Sequence, residues 1–173
     1  MSNILDNNPP EEILIVEITI DDSVSDCDEV DGNRFRQAVL AAAAERDFHR
    51  GEIGIRVTDD PSIHEINRDH LGHDYPTDVI SFAYACQAPT IEGALVVSVD
   101  TARQKAAELG WSSKHELLLY VVHGVLHIAG MDDHEPNDRA AMRAAERSVL
   151  TTLGIKEIEN FSPDQPATTG DQA

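Results

Sequence analysis

The sequence predicts an α+β domain in which a small mixed sheet of four strands packs against about five helices, one of them central and buried. Short segments rich in β-branched residues alternate along the chain with longer segments of helical periodicity, and no internal repeat is visible. With 173 residues, of which 41% are hydrophobic, the chain is long enough to form one core.

The first half of the chain alternates strand and helix. Residues 12–20 (EILIVEITI) predict a strand, and an acidic loop over 21–32 leads to a helix over 34–48. The residues of this helix predicted to face the core are Phe35, Val39, Leu40, Ala43 and Phe48. A second strand over 52–57 precedes Pro61, which suits the first turn of a short helix reaching about Asn67.

The second half contains two more strands and three helices. A loop over 69–78 precedes predicted strands over 79–83 and 93–98. Two helices are predicted to end at a glycine, which can adopt the left-handed conformation that stops a helix. These are a helix over 99–109 closed by Gly110 and a last helix over about 137–153 closed by Gly154.

The helix between them is predicted to be the centre of the fold. Ser113 is a candidate N-cap, and Glu116, three residues on, would complete a capping box. The residues from Leu117 to Ile128 are apolar on nearly every side, which is typical of a helix buried all round.

Charge is distributed unevenly along the chain. The formal net charge is −19, and residues 1–33 contain ten acidic side chains and no Lys or Arg. Residues 162–173 are rich in Pro, Thr, Gln and Asp. We therefore predict flexible tails over 1–11 and 156–173 around a single domain over 12–155. The acidity argues against tight nonspecific binding of nucleic acid.

Three other features of the sequence indicate the cellular compartment. No apolar run approaches the roughly 20 residues needed to cross a membrane, and the N-terminus has no basic start or apolar core of a secretory signal. Cys27 and Cys86 form neither a disulfide framework nor a CxxC pair. A reducing cytoplasm is the expected compartment, with no membrane partner.

The segment from His123 to His134 (HGVLHIAGMDDH) predicts a metal site. His123 and His127 are four residues apart and therefore project from the same side of a helix. Gly130 can end that helix and let the chain return His134 toward the pair. Three imidazoles suit a first-row metal, zinc or nickel, and leave a coordination position for water, as in catalytic zinc sites.

Two blocks of the sequence resemble the YbeY family of ribosomal-RNA maturation endoribonucleases. Residues 66–82 (INRDHLGHDYPTDVISF) are similar to the family pattern LNxxYRxxDxPTDVLSF, and residues 123–134 are similar to HGxLHLxGxDH. The resemblance implies a zinc-binding, zincin-like metallohydrolase fold and cleavage of single-stranded RNA. It also implies maturation of the 3′ end of small-subunit ribosomal RNA and ribosome quality control, with His123, His127 and His134 as metal ligands.

The chain departs from the family pattern at two positions. The third histidine lies eleven residues after the first instead of ten, and Asp133 occupies the tenth position. We expect His134 to be the ligand, with Asp133 as the alternative. Leu71 stands where the family usually carries an arginine linked to activity. His70, His73 or Arg68 could replace that cation, or cleavage could be weaker.

The residue after His123 argues against a zinc peptidase. Peptidases of similar spacing carry a glutamate there as general base, whereas this chain has Gly124. The candidate bases near the third ligand are Asp132, Asp133 and Glu135, any of which could instead orient an imidazole.

The segment 76–82 (PTDVISF) has a structural and a functional interpretation. In the structural one, Asp78 binds nearby backbone amides and the segment continues as a buried strand. In the functional one, Ser81 or Thr77 faces the metal cleft and contacts phosphate or water.

The last predicted helix carries a basic stripe, formed by Arg139, Arg143 and Arg147. These side chains either form a solvated face with neighbours such as Glu135 and Glu146 or position phosphate beside the metal. We expect His49, His64 and His115 to be surface or structural residues.

Two functions from different classes remain open. The first is a metal-dependent endoribonuclease that acts on ribosomal RNA in association with the small ribosomal subunit. The second is a ribosome-assembly factor with a mainly structural zinc and little cleavage activity, with contacts to ribosomal or assembly-factor proteins. A small-molecule zinc hydrolase is a third possibility.

Overall fold

The structure, a computed structural model, describes residues 13–155. The tails predicted over 1–11 and 156–173 lie outside the described residues. Within them the chain forms four strands and five α-helices, as the sequence predicted. In order they are β1 (Leu14–Ile20), α1 (Gly32–Ala44), β2 (Arg50–Thr58), α2 (Asp60–Leu71), β3 (Val79–Gln87), β4 (Thr90–Ser98), α3 (Val99–Leu109), α4 (Ser113–Ile128) and α5 (Pro136–Thr152).

The sheet is mixed, with the strand order β1-β2-β4-β3. β1 and β4 both pair in parallel with β2, whereas β3 pairs antiparallel with β4. The β3–β4 hairpin is longer than predicted, since β3 continues to Gln87 and β4 begins at Thr90. Residues 84–87 have little β-branched character, and pairing with β4 compensates for this.

The main core lies on one face of the sheet, with α4 at its centre. α4 contacts α1, α3, α5, β3 and β4, and its residues from Leu117 to Leu126 are buried except at His123. A smaller cluster of Ile63, Ile80 and Val96 places α2 against the opposite face. The prediction of a central buried helix is confirmed.

Several local predictions are wrong. The N-cap of α4 is Ser112 rather than Ser113, and its side chain accepts a hydrogen bond from the Lys114 amide. Glu116 closes no capping box because it is buried and accepts the indole N–H of Trp111 at 2.8 Å. In α1, Leu40 is exposed, because the neighbouring Val39 takes the core-facing position.

Candidate metal centre

α4 brings two imidazoles together at the point where it emerges from the core. His123 and His127 are one helical turn apart, and their Nε2 atoms are 2.9 Å from each other. Both rings are only partly exposed. The predicted convergence of these two side chains is therefore present in the structure.

The chain after α4 turns back toward the two imidazoles. Gly130 adopts a φ of +95°, the left-handed conformation that glycine favours. Its N–H donates to the carbonyl of His127, and the N–H of Met131 donates to that of Leu126. This pair of bonds is a Schellman motif, which ends the helix and reverses the chain.

The reversed segment delivers a carboxylate to the imidazole pair. Oδ2 of Asp133 lies 3.5 Å from Nε2 of His123 and 3.5 Å from Nε2 of His127. The hydrogen bond from His127 is the largest influence that lowers the pKa of Asp133, to about 2, so the carboxylate is ionised at neutral pH. We call these three atoms the metal trio.

The dimensions of the metal trio suit one small cation. A point equidistant from atoms separated by 2.9, 3.5 and 3.5 Å lies about 1.9 Å from each, within their plane. This spacing is compatible with the 2.0–2.2 Å distances typical of zinc bound to imidazole nitrogen and carboxylate oxygen. Three protein ligands leave a fourth coordination position for solvent or substrate.

His134 lies at the rim of this site. Its side chain is 64% exposed, and its Nε2 is 3.3 Å from Oδ1 of Asp132. It lines the same cleft as the metal trio but does not belong to the compact group of His123, His127 and Asp133. The assignment of His134 as the third ligand therefore stays a prediction that competes with Asp133.

A buried carboxylate that the sequence did not single out for the site orients His123. Glu146 of α5 is fully buried, and its Oε1 is 2.5 Å from Nδ1 of His123. Arg143 donates to both oxygens of the same carboxylate, at 2.8 and 3.1 Å. Burial opposes protonation of His123, but the hydrogen bond and charge of Glu146 outweigh it and raise the pKa of this imidazole.

The metal trio opens into a cleft of about 380 Å³ between α4 and the start of β3. Thr77, Asp78 and Ser81 line it. The predicted structural role of Asp78 is confirmed, because its Oδ1 accepts the Val79 amide at 2.8 Å. Ser81 donates to the Gly124 carbonyl at 3.3 Å, so its hydroxyl lies between β3 and α4.

The cleft has no cationic side chain of its own among the residues that the structure describes. Neither Lys nor Arg lines it, and Leu71, 48% exposed, borders it from the end of α2. A positive charge for a phosphate must therefore come from a bound cation, from histidine or from residues outside the lining.

Gly124 is a packing residue. A Cβ at this position would lie 2.5 Å from Cδ2 of Leu95 and 3.2 Å from Oγ of Ser81. A side chain at this position would have to displace the buried Leu95 side chain, so packing favours glycine where a peptidase carries its glutamate.

The remaining candidates lie around the rim or away from the site. Glu135 is the N-cap of α5 and does not line the cleft, and neither does the exposed Asp132. Arg139 donates to the carbonyl of His134 at 2.5 Å. His64 pairs with Asp74, His115 packs against Trp111, and His49 is exposed.

Two further sequence predictions concern cysteines and membranes. Cys27 and Cys86 are both free thiols. Across residues 13–155, no helix combines the length and the apolar character that a membrane crossing requires.

Comparison with known proteins gives a consistent result. The family model described as Endoribonuclease YbeY matches residues 17–154. A protein of Rhodopirellula baltica named Endoribonuclease YbeY is 47% identical over 153 residues, 85% of this chain and 79% of the relative. One of Chloroflexus aurantiacus with the same name is 36% identical over 154 residues, 83% of this chain and 97% of the relative.

A solved structure supports the fold. The solution structure of a Thermotoga maritima protein matches with a TM-score of 0.57 at 19% identity, over 89% of this chain and 98% of that protein. A match at this identity bears on the fold alone. The family match, in contrast, extends over all nine elements except the beginning of β1. On the strength of that match and of the two named relatives, the chain belongs to the Endoribonuclease YbeY family.

Proposed function

We propose that this chain is a zinc-dependent endoribonuclease that hydrolyses single-stranded RNA. Its substrate in this proposal is ribosomal RNA, cut near the 3′ end of the small-subunit RNA in the cytoplasm, with a further part in ribosome quality control. The observation that carries the proposal is the metal trio, which faces an open cleft in a chain of this family.

The ligand set in this proposal is His123, His127 and Asp133. Asp133 is the tenth residue after His123, where the family pattern places its third ligand, and its Oδ2 already faces both imidazoles. His134 then lies at the rim of the cleft, where it can contact substrate. A set of two nitrogens and one carboxylate oxygen suits zinc and also nickel.

Different residues have different roles in the proposed hydrolysis of the phosphodiester bond. When bound, the cation supplies the Lewis acidity that makes water a nucleophile and that stabilises charge on a phosphoryl oxygen. Glu146 holds the His123 ring in place. Thr77 and Ser81 place hydroxyl groups on the cleft wall. To donate to a phosphate oxygen, each would exchange the hydrogen bond that it now makes to Asp78 or to the Gly124 carbonyl.

The test is single-turnover cleavage of a single-stranded RNA by zinc-loaded protein. We expect His123→Ala and His127→Ala to reduce the cleavage rate by roughly 10²-fold or more, since each removes a ligand of the cation. His115→Ala is the matched control, because it removes an imidazole from the first turn of the same helix and outside the cleft.

Two outcomes would contradict the proposal in different ways. Folded His123→Ala and His127→Ala proteins that cleave as fast as the His115→Ala control would exclude catalysis by the metal. A wild-type protein that never cleaves RNA but sediments with small ribosomal subunits would favour the assembly-factor function. The strong negative charge and Leu71 in place of a cationic residue are the observations that keep this second candidate open.

A further inference from the structure

We propose that α5 is the orienting helix of the metal site, with Glu146 as a positioning residue that sets the metal affinity and Arg143 as the residue that holds Glu146. This inference rests on the proposed function. It gives Glu146 and Arg143 a role at the metal, whereas the sequence indicated only a solvated face for this pair or a phosphate contact for Arg143.

The first step is the orientation of the His123 ring. A carboxylate can only accept a hydrogen bond, so the 2.5 Å contact with Oε1 of Glu146 places the ring proton on Nδ1 of His123. Nε2 then carries the lone pair, and this is the atom that faces His127 and Asp133. Glu146 therefore selects the tautomer that the metal trio requires.

The second step is what keeps Glu146 in place. A fully buried carboxylate is costly unless donors surround it. Arg143, one turn earlier in α5, donates to both of its oxygens and remains 30% exposed at its own side chain. The guanidinium of Arg143 thus balances the charge of Glu146, although Arg143 itself is not fully buried.

The third step is that α5 also holds the other side of the site. Arg139 donates to the carbonyl of His134, at the end of the turn that carries Asp133. One helix therefore contacts both the imidazole on α4 and the returning turn. Contacts of this kind around metal ligands change affinity by about 10- to 100-fold when removed.

The experiment measures zinc affinity by competition with a chromophoric chelator, without RNA. We expect Glu146→Gln to weaken zinc binding about 10- to 100-fold, because an amide can donate to Nδ1 and so admits the wrong tautomer. Asp138→Asn is the matched control, since it removes one carboxylate from an exposed position of the same helix.

Arg143→Gln and Arg147→Gln form a second matched pair, which decides the matter if Glu146→Gln fails to fold. Both remove one guanidinium from α5, but Arg143 contacts Glu146, whereas Arg147 is exposed. We expect a several-fold loss of zinc affinity for Arg143→Gln alone. Nitrogen NMR of the zinc-loaded wild type should show His123 protonated at Nδ1 and coordinated through Nε2.

The outcomes separate this inference from the function on which it rests. If the wild type binds zinc but the Glu146 and Arg143 variants bind it as tightly as their controls, the orienting role is wrong and the endoribonuclease proposal stands. Coordination of His123 through Nδ1 would also overturn the orienting role. A wild type that binds no divalent metal would overturn both. Loss of RNA cleavage with normal zinc affinity in these variants would likewise contradict a role in metal binding.

Discussion

Asp133 and His134 are the two adjacent candidates for the third ligand of the proposed metal site. Asp133 faces the imidazole pair, and His134 lies at the rim of the cleft. The difference between them is one residue of spacing after Gly130.

The first prediction separates these two residues by zinc affinity. Asp133→Asn removes a charged oxygen from the metal trio, and we expect it to weaken zinc binding by roughly 10²-fold. His134→Asn should change the affinity much less, since the His134 imidazole lies 3.3 Å from Asp132 at the rim and outside the metal trio. Chelator competition measures both, and the opposite order of effects would assign His134 as the ligand.

Gly124 determines how closely α4 approaches the sheet, and it provides the second prediction. Gly124→Ala places a methyl group 2.5 Å from Leu95 in the core. Overpacking of this kind costs about 1–3 kcal/mol, which exceeds the gain of about 1 kcal/mol from replacing glycine within a helix. We therefore expect a lower free energy of unfolding in urea.

Gly54 supplies the control for that measurement. It lies in β2, and a Cβ there would meet nothing within 4 Å. Gly54→Ala should leave the stability unchanged or raise it by up to about 1 kcal/mol. If the two variants are equally stable, the close approach of α4 to β4 is not what selects glycine at position 124.

At the scale of elements, a buried carboxylate joins the loop before α1 to two helices. Glu29 is buried and accepts two hydrogen bonds from Arg103 of α3, at 2.7 and 3.0 Å. Ser113, at the start of α4, donates to the same carboxylate at 3.3 Å. This contact fixes the N-terminal end of α4, which lies far from the metal trio. The contact between Glu146 of α5 and His123 fixes the C-terminal end.

The third prediction concerns the pH dependence of this contact. The hydrogen bond with Arg103 lowers the pKa of Glu29 below its ordinary value of 4.5. A carboxyl with a lowered folded pKa stabilises the fold above its unfolded pKa, and that stabilisation is lost as the pH falls through the folded value. The loss therefore occurs below about pH 4.5.

Glu29→Gln tests this assignment. We expect the variant to be about 1.5–3 kcal/mol less stable than the wild type at pH 7, the range of a hydrogen bond to a charged group. The difference should shrink as the pH falls below about 4.5. Urea unfolding of both proteins between pH 3 and pH 7 measures it, and a difference that is constant with pH would contradict the assignment.

On the scale of the whole molecule, the charge distribution is unusual for a protein that acts on RNA. The chain has a net charge of −19, and the described lining of the cleft contains no Lys or Arg. Few phosphates can therefore be neutralised by side chains of the cleft, and in the proposed function a cation held by the metal trio would contribute much of the attraction.

The fourth prediction follows from this distribution. The salt dependence of RNA affinity increases with the number of phosphates that Lys and Arg neutralise, with a slope of about −0.7 per contact for single strands. For about two contacts, the affinity should fall less than about tenfold between 50 and 200 mM salt. Fluorescence anisotropy of a labelled RNA measures this, and a steep dependence would reveal a basic surface elsewhere.

RNA affinity measured after a chelator has removed the metal tests the same charge distribution. We expect a chelator to weaken RNA binding as well as to stop cleavage, because it removes the principal positive charge in the cleft. RNA affinity that is unchanged in chelated, folded protein would mean that binding does not involve the metal centre.

Local rules predicted the elements and two of the three members of the metal trio. Helical spacing places His123 and His127 on the same side of α4, and Gly130 adopts the left-handed conformation that ends it. The order of strands and helices predicted the α+β class and the central helix. These features depend on residues within about one or two turns of each other, so periodicity and capping rules describe them well.

Only the tertiary structure decided which residues complete the site. Glu146 lies 23 residues after His123, and the packing of α5 against α4 is what brings them together. The third position of the metal trio depends on the backbone angles of the segment that connects α4 to α5, and glycine at 124 depends on how the helix packs against Leu95. Such contacts join segments that no local spacing rule connects, so their geometry is set by packing rather than by sequence pattern.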